Sequence, residues 1–201
     1  MANQGNYRSR VADFLRRNDI RHVIGFSGGY RDNEEHARKV IEQSMTVYKG
    51  HPIAILTGGT DWNIPGDATA IAKDHGLPVI GVLPETGEKH KASGLDLEVV
   101  VPPLYAQSEW CDESQLFVKI SNGIEVIGGG PGTGVEIFQA MKISLDRVYD
   151  KQMPIFIAPI AGFGGIEEVL YKSPFVNTKF MPEKPFEDGT AAAKYLLENL
   201  K

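Results

Sequence analysis

The sequence predicts an α/β fold, with one parallel sheet covered by helices on both faces. Three observations predict it. Short β-branched runs alternate with segments of helical periodicity, the order of successive βαβ units. The runs are apolar with little polar alternation, as in strands buried on both sides. The glycines gather where these runs end instead of spreading along the chain.

Taken in order, Tyr7, Val11, Phe14 and Leu15 recur at i, i+4, i+7 and i+8 and predict an N-terminal helix. Residues 22–27 (HVIGFS) form the first strand. Asp32 is expected to cap a helix reaching Tyr48, with Asp32 and Glu35 spaced as a capping box. Residues 53–57 (IAILT) are the second strand, and 66–75 a short helix closed by Gly76. The third strand, 79–83 (VIGVL), leads into residues 84–94, a charged, turn-rich stretch read as a surface loop. The fourth strand is 98–101, followed by a polar-rich helix over 108–120. The fifth strand, 123–127, precedes a helix over 135–149 with Phe138, Met141, Leu145 and Val148 on one face. A sixth strand at 155–158, a short helix at 166–171, and a last helix striped by Ala193, Leu196, Leu197 and Leu200 complete the pattern. No repeat, low-complexity tract or linker interrupts it, so residues 1–201 read as a single domain.

Composition narrows the function. Apolar residues make up 42% and charged residues 23%, which is ordinary for a globular chain with a sizeable core. Lys plus Arg is 21 against 26 for Asp plus Glu, a net charge of −5 with no basic cluster. That argues against a nucleic-acid partner, which needs concentrated positive charge. Cys111 is the one cysteine, which excludes an internal disulfide and a multi-thiolate metal site and fits a reducing compartment. The first ten residues hold no apolar h-region, and no stretch approaches the ~20 apolar residues of a membrane helix. The expectation is a cytoplasmic protein without membrane contact. The five histidines lack metal-ligand spacing and read as surface or turn residues, so no metal site is assigned.

Three glycine-rich turns carry the chemistry. Ser27-Gly28-Gly29 follows the first strand, and Thr57-Gly58-Gly59-Thr60 the second. Gly128-Gly129-Gly130-Pro131-Gly132-Thr133-Gly134 joins the fifth strand to a helix. In open α/β sheets ligands bind outside the carboxyl ends of the strands, and glycine lets the backbone approach them closely. Backbone N–H groups at a helix start then favour an anion. No Lys-Ser/Thr follows the glycines, so this is not a P-loop, and the first turn lacks the G-x-G-x-x-G dinucleotide fingerprint. The candidate phosphate-binding residues are Ser27, Gly28, Gly29, Gly58, Gly59, Gly129, Gly130, Gly132 and Thr133. Thr133 and Glu136 have capping-box spacing. The functional alternative puts the Thr133 hydroxyl on a phosphate and the Glu136 carboxylate against a sugar or water, and both roles can hold at once. Trp62, just beyond Gly59, serves equally as packing or as a stacking surface for a base.

The stretch GGPGTGVE, Gly129 to Glu136, resembles the PGGxGTxxE signature of the LOG ("Lonely Guy") proteins, with Gly128 where that family has proline. Residues 58–84 resemble the family's second block, matching at Gly58, Gly59, Gly66, Val79, Ile80, Gly81, Val82 and Pro84. The superfamily includes molybdenum-cofactor carrier proteins. The resemblance implies a modified Rossmann fold, a nucleotide-phosphate site and a homodimer. Its hydrolytic members cleave nucleoside 5′-monophosphates and carry an Arg-Lys pair on the helix before the motif strand, where this chain has Glu113 and Ser114. The leading expectation is therefore a binding or carrier protein for a nucleotide or nucleotide-like phosphorylated ligand, with no required cofactor; a nucleotide and a pterin-type molecule are the ligand classes implied. The alternative is a phosphoribohydrolase in which Glu136 is the catalytic acid/base.

Overall fold

The computed structural model describes residues 4–172 and 178–201. Among the described residues there are seven α-helices and six strands, mostly in alternation: α1 Gln4–Arg17, β1 His22–Gly29, α2 Glu34–Tyr48, β2 Ile53–Thr57, α3 Asn63–Asp74, β3 Val79–Pro84, β4 Leu97–Val101, α4 Ser114–Ile120, β5 Gly123–Gly128, α5 Pro131–Tyr149, β6 Phe156–Ile160, α6 Ile166–Lys172 and α7 Gly189–Asn199. The sheet order is β4-β3-β2-β1-β5-β6, and every neighbouring pair is parallel. This is the expected Rossmann-like α/β architecture.

Alternate residues of each strand feed two cores. Ile24 and Phe26 of β1 pack with Ile41 and Tyr48 of α2, Ala68 of α3 and Leu196 of α7. Val23, from the opposite face, joins Phe14 of α1, Phe117 of α4, Ile137 of α5 and Leu170 of α6. Gly25 lies on that second face, and a Cβ there would stand 2.9 Å from Phe117 Cζ. The missing side chain lets α4 lie close to β1. Among the described residues no helix is long and apolar enough to cross a membrane.

Several boundaries differ from the sequence expectation. The helix expected from Ser108 begins at Ser114. Before it the chain turns at Cys111, whose φ of 92° is left-handed, and the Asp112 carboxylate accepts the N–H groups of Leu104 and Glu109. The Asp32/Glu35 capping box does not form: α2 starts after Asn33, at φ 71°, with no side-chain cap. α3 begins at Asn63 and does end at Gly76, whose N–H bonds Lys73 while Leu77 N–H bonds Ala72, a Schellman closure. Residues 84–94 do run along the surface, with Glu85, Glu88, Lys89, Lys91, Ser93 and Gly94 exposed, but they are locally ordered. They open with a 3₁₀ turn, Glu85–His90, pinned to the β2 exit by Ala92 N–H to Gly59 (2.8 Å) and Asp61 N–H to His90 (2.9 Å). The apolar face assigned to α5 splits. Met141 is buried with Ile137 and Ala140, while Phe138, Leu145 and Val148 are exposed.

One core residue is a carboxylic acid. Glu125, in central strand β5, is fully buried and accepts hydrogen bonds from Tyr48 Oη (2.5 Å) and Ser44 Oγ (2.7 Å). Burial pushes its pKa from 4.5 up to about 7, against the pull of the Tyr48 and Ser44 hydrogen bonds. The folded state therefore holds a proton that the unfolded chain releases. The stability this contributes is complete below the unfolded pKa and is lost as pH rises through about 7. Glu125→Gln, neutral at every pH, is expected to gain on the wild type by a few degrees of Tm as pH rises from ~5 to ~8. A Tm difference that stays constant over that range, read by thermal denaturation, contradicts this.

Candidate functional site

β1 marks the point where strand order reverses, since β2, β3 and β4 extend from one side of it and β5 and β6 from the other. The crevice at such a switch point, outside the carboxyl ends of β1 and β5, is where an open α/β sheet binds ligands. Two of the three glycine-rich turns form its floor. Gly28 and Gly29 pair in register with Ile127 and Gly128, and Gly129 N–H donates to Gly29 C=O at 2.7 Å. A Cβ on Gly28 would lie 2.1 Å from the Ile127 carbonyl oxygen, so no other residue fits. Gly128 adopts φ 61°. Proline, held near −65°, cannot adopt it. The turn is braced from the start of α6, because Ile166 N–H donates to Gly129 C=O at 3.1 Å.

α5 rises from this floor. Its N-cap is Gly130, and Pro131 stands in the first turn. The N–H groups of Gly132 and Thr133 have no carbonyl one turn back to accept them. Gly134 N–H is the first to close, on Gly130 C=O at 3.0 Å. Around Gly130 and Gly132 there is open space. Thr133 is buried, and its hydroxyl lies against Gly129.

The Thr133/Glu136 capping box is not formed, because α5 starts too early for Thr133 to be its N-cap. Glu136 instead reaches across to β1 and accepts a hydrogen bond from Ser27 Oγ. Ser27 is therefore committed to Glu136. Burial raises the Glu136 pKa to about 7. The Ser27 hydrogen bond opposes the shift, the neighbouring Glu113 charge adds to it, and a Ser114 hydrogen bond opposes it again. Glu113 is itself raised, mainly by burial. The two positions where the resemblance expects Arg-Lys thus hold an acid and a hydroxyl; the Glu113 carboxylate accepts Cys111 N–H at 2.9 Å, and its charge raises the Glu136 pKa. Cys111, alongside, has its thiol pushed up by burial and by the Glu113 and Glu136 charges, which keeps it a poor nucleophile.

The third turn has a different part. Gly58 and Gly59 end β2, one strand over from β1. Gly59 N–H donates to Thr57 Oγ1 (3.2 Å), and its carbonyl accepts from Ala92, so its polar groups serve the turn itself.

Sequence reasoning missed a second set of residues. Asn63 Oδ1 accepts Tyr30 N–H at 2.8 Å, and Asn63 Nδ2 donates to Tyr30 C=O at 3.0 Å, fastening the β1 exit to α3. The Tyr30 hydroxyl donates to Asp67 at 2.8 Å, and Asp67 pairs with Arg38. Burial and Asp67 raise the Tyr30 pKa. An asparagine before a helix was a readable hint, because asparagine tolerates the left-handed backbone that Asn63 adopts at φ 56°. The Arg38–Asp67 pairing spans 29 residues and leaves no local pattern.

Among the described residues no three His, Cys, Asp or Glu side chains converge as metal ligands. A cavity of about 450 Å³ lies away from the crevice, among α1, α4 and α5, and is rimmed by Arg8, Lys119 and Arg147.

No protein-family model and no curated protein sequence matches the chain. Solved structures do. The molybdenum cofactor carrier protein of Chlamydomonas reinhardtii superposes with a TM-score of 0.64 at 23% identity, over 90% of this chain and 98% of that one. The fold is that of the molybdenum cofactor carrier proteins. The molybdenum cofactor binding protein of the phototrophic bacterium Rippkaea orientalis shares this carrier fold at TM-score 0.63 and 18% identity, over 90% of this chain and 97% of its own. The protein TM1055 does so at 0.67 and 15%, over 89% and 99%. The shared fold extends along nearly the whole length of each of these proteins.

Proposed function

We propose that the protein binds, as a carrier, a nucleotide or nucleotide-like phosphorylated ligand in the crevice between β1 and β5. The phosphate lies against Gly129, Gly130, Gly132 and Thr133, with Gly28 and Gly29 leaving room beneath it. The observation that carries this reading is the pair of first-turn N–H groups on Gly132 and Thr133. They stand at the positive end of a 19-residue helix, on the strand-order switch point, in a turn with open space around the Cβ positions of Gly130 and Gly132. The carrier proteins that share the fold support a pterin-type ligand as one member of this class. Because backbone N–H groups hold the phosphate, binding needs no divalent metal.

One observation favours a second reading, the phosphoribohydrolase. Glu136 has a pKa of about 7, a value suited to general acid/base work at neutral pH. Against it stands the charge of the site. Glycosidic cleavage builds positive charge on the sugar while the phosphate stays anionic, and a cation there steadies the phosphate. Glu113 places a carboxylate at that position instead. The carrier reading therefore stands first.

The reading includes a homodimer. Val135, Phe138, Leu145 and Tyr149 lie exposed along one side of α5, the kind of apolar surface that a second copy covers. Sedimentation at micromolar concentration is expected to give twice the chain mass, and a monomer alone contradicts it.

AMP and GMP are expected to bind equally with and without EDTA, as measured by calorimetry, and binding that disappears on chelation contradicts the proposal. Chromatography of AMP incubated with the wild type is expected to show no adenine above background. Adenine from the wild type but not from Glu136→Gln promotes the hydrolase.

A further inference from the structure

The chain has two tryptophans, Trp62 and Trp110, and the fold brings them together at the carboxyl edge of the sheet. Their ring centroids are 5.9 Å apart with 57° between the planes, and His90 meets Trp62 edge-on at 4.6 Å. Both indoles remain about half exposed, Trp62 at 43% and Trp110 at 49%. Residues with this much apolar surface normally spend it in a core, and two of them side by side in solvent mark a contact surface.

The rings are held in place rather than hanging free. Trp110 rests on the 3₁₀ turn after β3, where a Cβ on Gly87 would come within 3.1 Å of its six-membered ring. Thr86 N–H, in the same turn, donates to Ser108 Oγ at 3.1 Å, tying that turn to the segment that carries Trp110. Trp62 leaves the β2 exit beside Thr60, which bridges to Lys91.

Each tryptophan is also wired to the crevice. Trp62 immediately precedes Asn63, whose side chain bonds both the N–H and the C=O of Tyr30 at the β1 exit. Trp110 lies three residues before Glu113, whose charge raises the Glu136 pKa and whose carboxylate accepts Cys111 N–H at 2.9 Å. With strands ~4.8 Å apart, the rim of β2 and β3 lies about 10–14 Å from the β5 turn. A flat ring on one side and a phosphate on the other would be joined across that span by a sugar or similar spacer.

We infer that Trp62 and Trp110 form a stacking shelf for the planar nitrogen heterocycle, of purine or pterin type, of a ligand whose phosphate occupies the β5–α5 turn. The inference rests on the phosphate site proposed above and specifies the other end of the same ligand. Stacking on aromatic side chains tolerates any base with a π-face, so the shelf selects for a flat ring and not for one purine over another.

Because both tryptophans sit on the shelf, intrinsic fluorescence excited at the red edge of indole absorption reports on it alone. AMP, GMP, guanosine and ribose 5-phosphate are titrated into the whole protein, with calorimetry in parallel. AMP and GMP are expected to change the emission saturably and to similar extents, and ribose 5-phosphate to bind without changing it. Trp62→Leu is expected to weaken GMP by roughly ten-fold while leaving ribose 5-phosphate unchanged, and Trp62→Phe to restore GMP binding. Circular dichroism checks that the variants fold. GMP binding no tighter than ribose 5-phosphate, with the same affinity in Trp62→Leu, overturns the shelf and leaves the phosphate site standing. Guanosine binding as tightly as GMP supports the shelf and overturns the phosphate site. No binding of any of the four overturns both.

Discussion

The ends of β1 and β5 touch without side chains between them, and the rest of the site depends on that contact. Gly28 lies so close to the Ile127 carbonyl that no Cβ fits, and Gly129 closes the gap by donating to Gly29. With the strand ends drawn together, the chain can leave β5 through Gly128 at a left-handed φ and enter α5 with its first N–H groups facing the crevice. Strand order reverses at the same place. Topology therefore supplies the opening and glycine keeps it clear, while the helix start supplies the donors.

The acids around this floor give the site its character. Glu136 spans from α5 to Ser27 on β1, and Glu113 stands near enough to raise its pKa further. Two carboxylates in a partly dehydrated crevice repel each other and hold on to a proton. A site of this kind tolerates a phosphate only where the backbone N–H groups outweigh the acids, at the mouth formed by Gly130, Gly132 and Thr133. Glu113 adds a carboxylate, not a cation, beside Glu136. The carrier reading proposed above rests on this distribution of charge.

The sequence made the sheet readable because its strands are buried on both faces, so their apolar runs needed no three-dimensional context. The glycine turns were readable for a related reason: Gly28, Gly128 and Gly129 answer to local backbone demands. Helix starts were less legible. The T-x-x-E spacing of Thr133 and Glu136 matches a capping box, yet Pro131 suits the first turn of a helix and moved the start forward, freeing Glu136 to reach Ser27. Which way the apolar stripe on α5 points stayed open, because periodicity does not tell a sheet-facing side from an outward one when both carry large residues. Glu125 in a β-branched run gave no sign that Tyr48 and Ser44, from a distant helix, would hold it. The Trp62–Trp110 pair and the Arg38–Asp67 pair come from folding together segments far apart in the chain, and no local pattern encodes them.

The measurement closest to the central claim is a backbone amide NMR titration of the protein with AMP. The account places the anion against the first turn of α5. Saturable shifts are therefore expected to centre on Gly129, Gly130, Gly132 and Thr133, with smaller ones at Gly28 and Gly29. AMP that binds while leaving these amides unmoved contradicts the account. Shifts gathered instead around Arg8, Lys119 and Arg147 would do so most directly, because those cations rim a separate cavity.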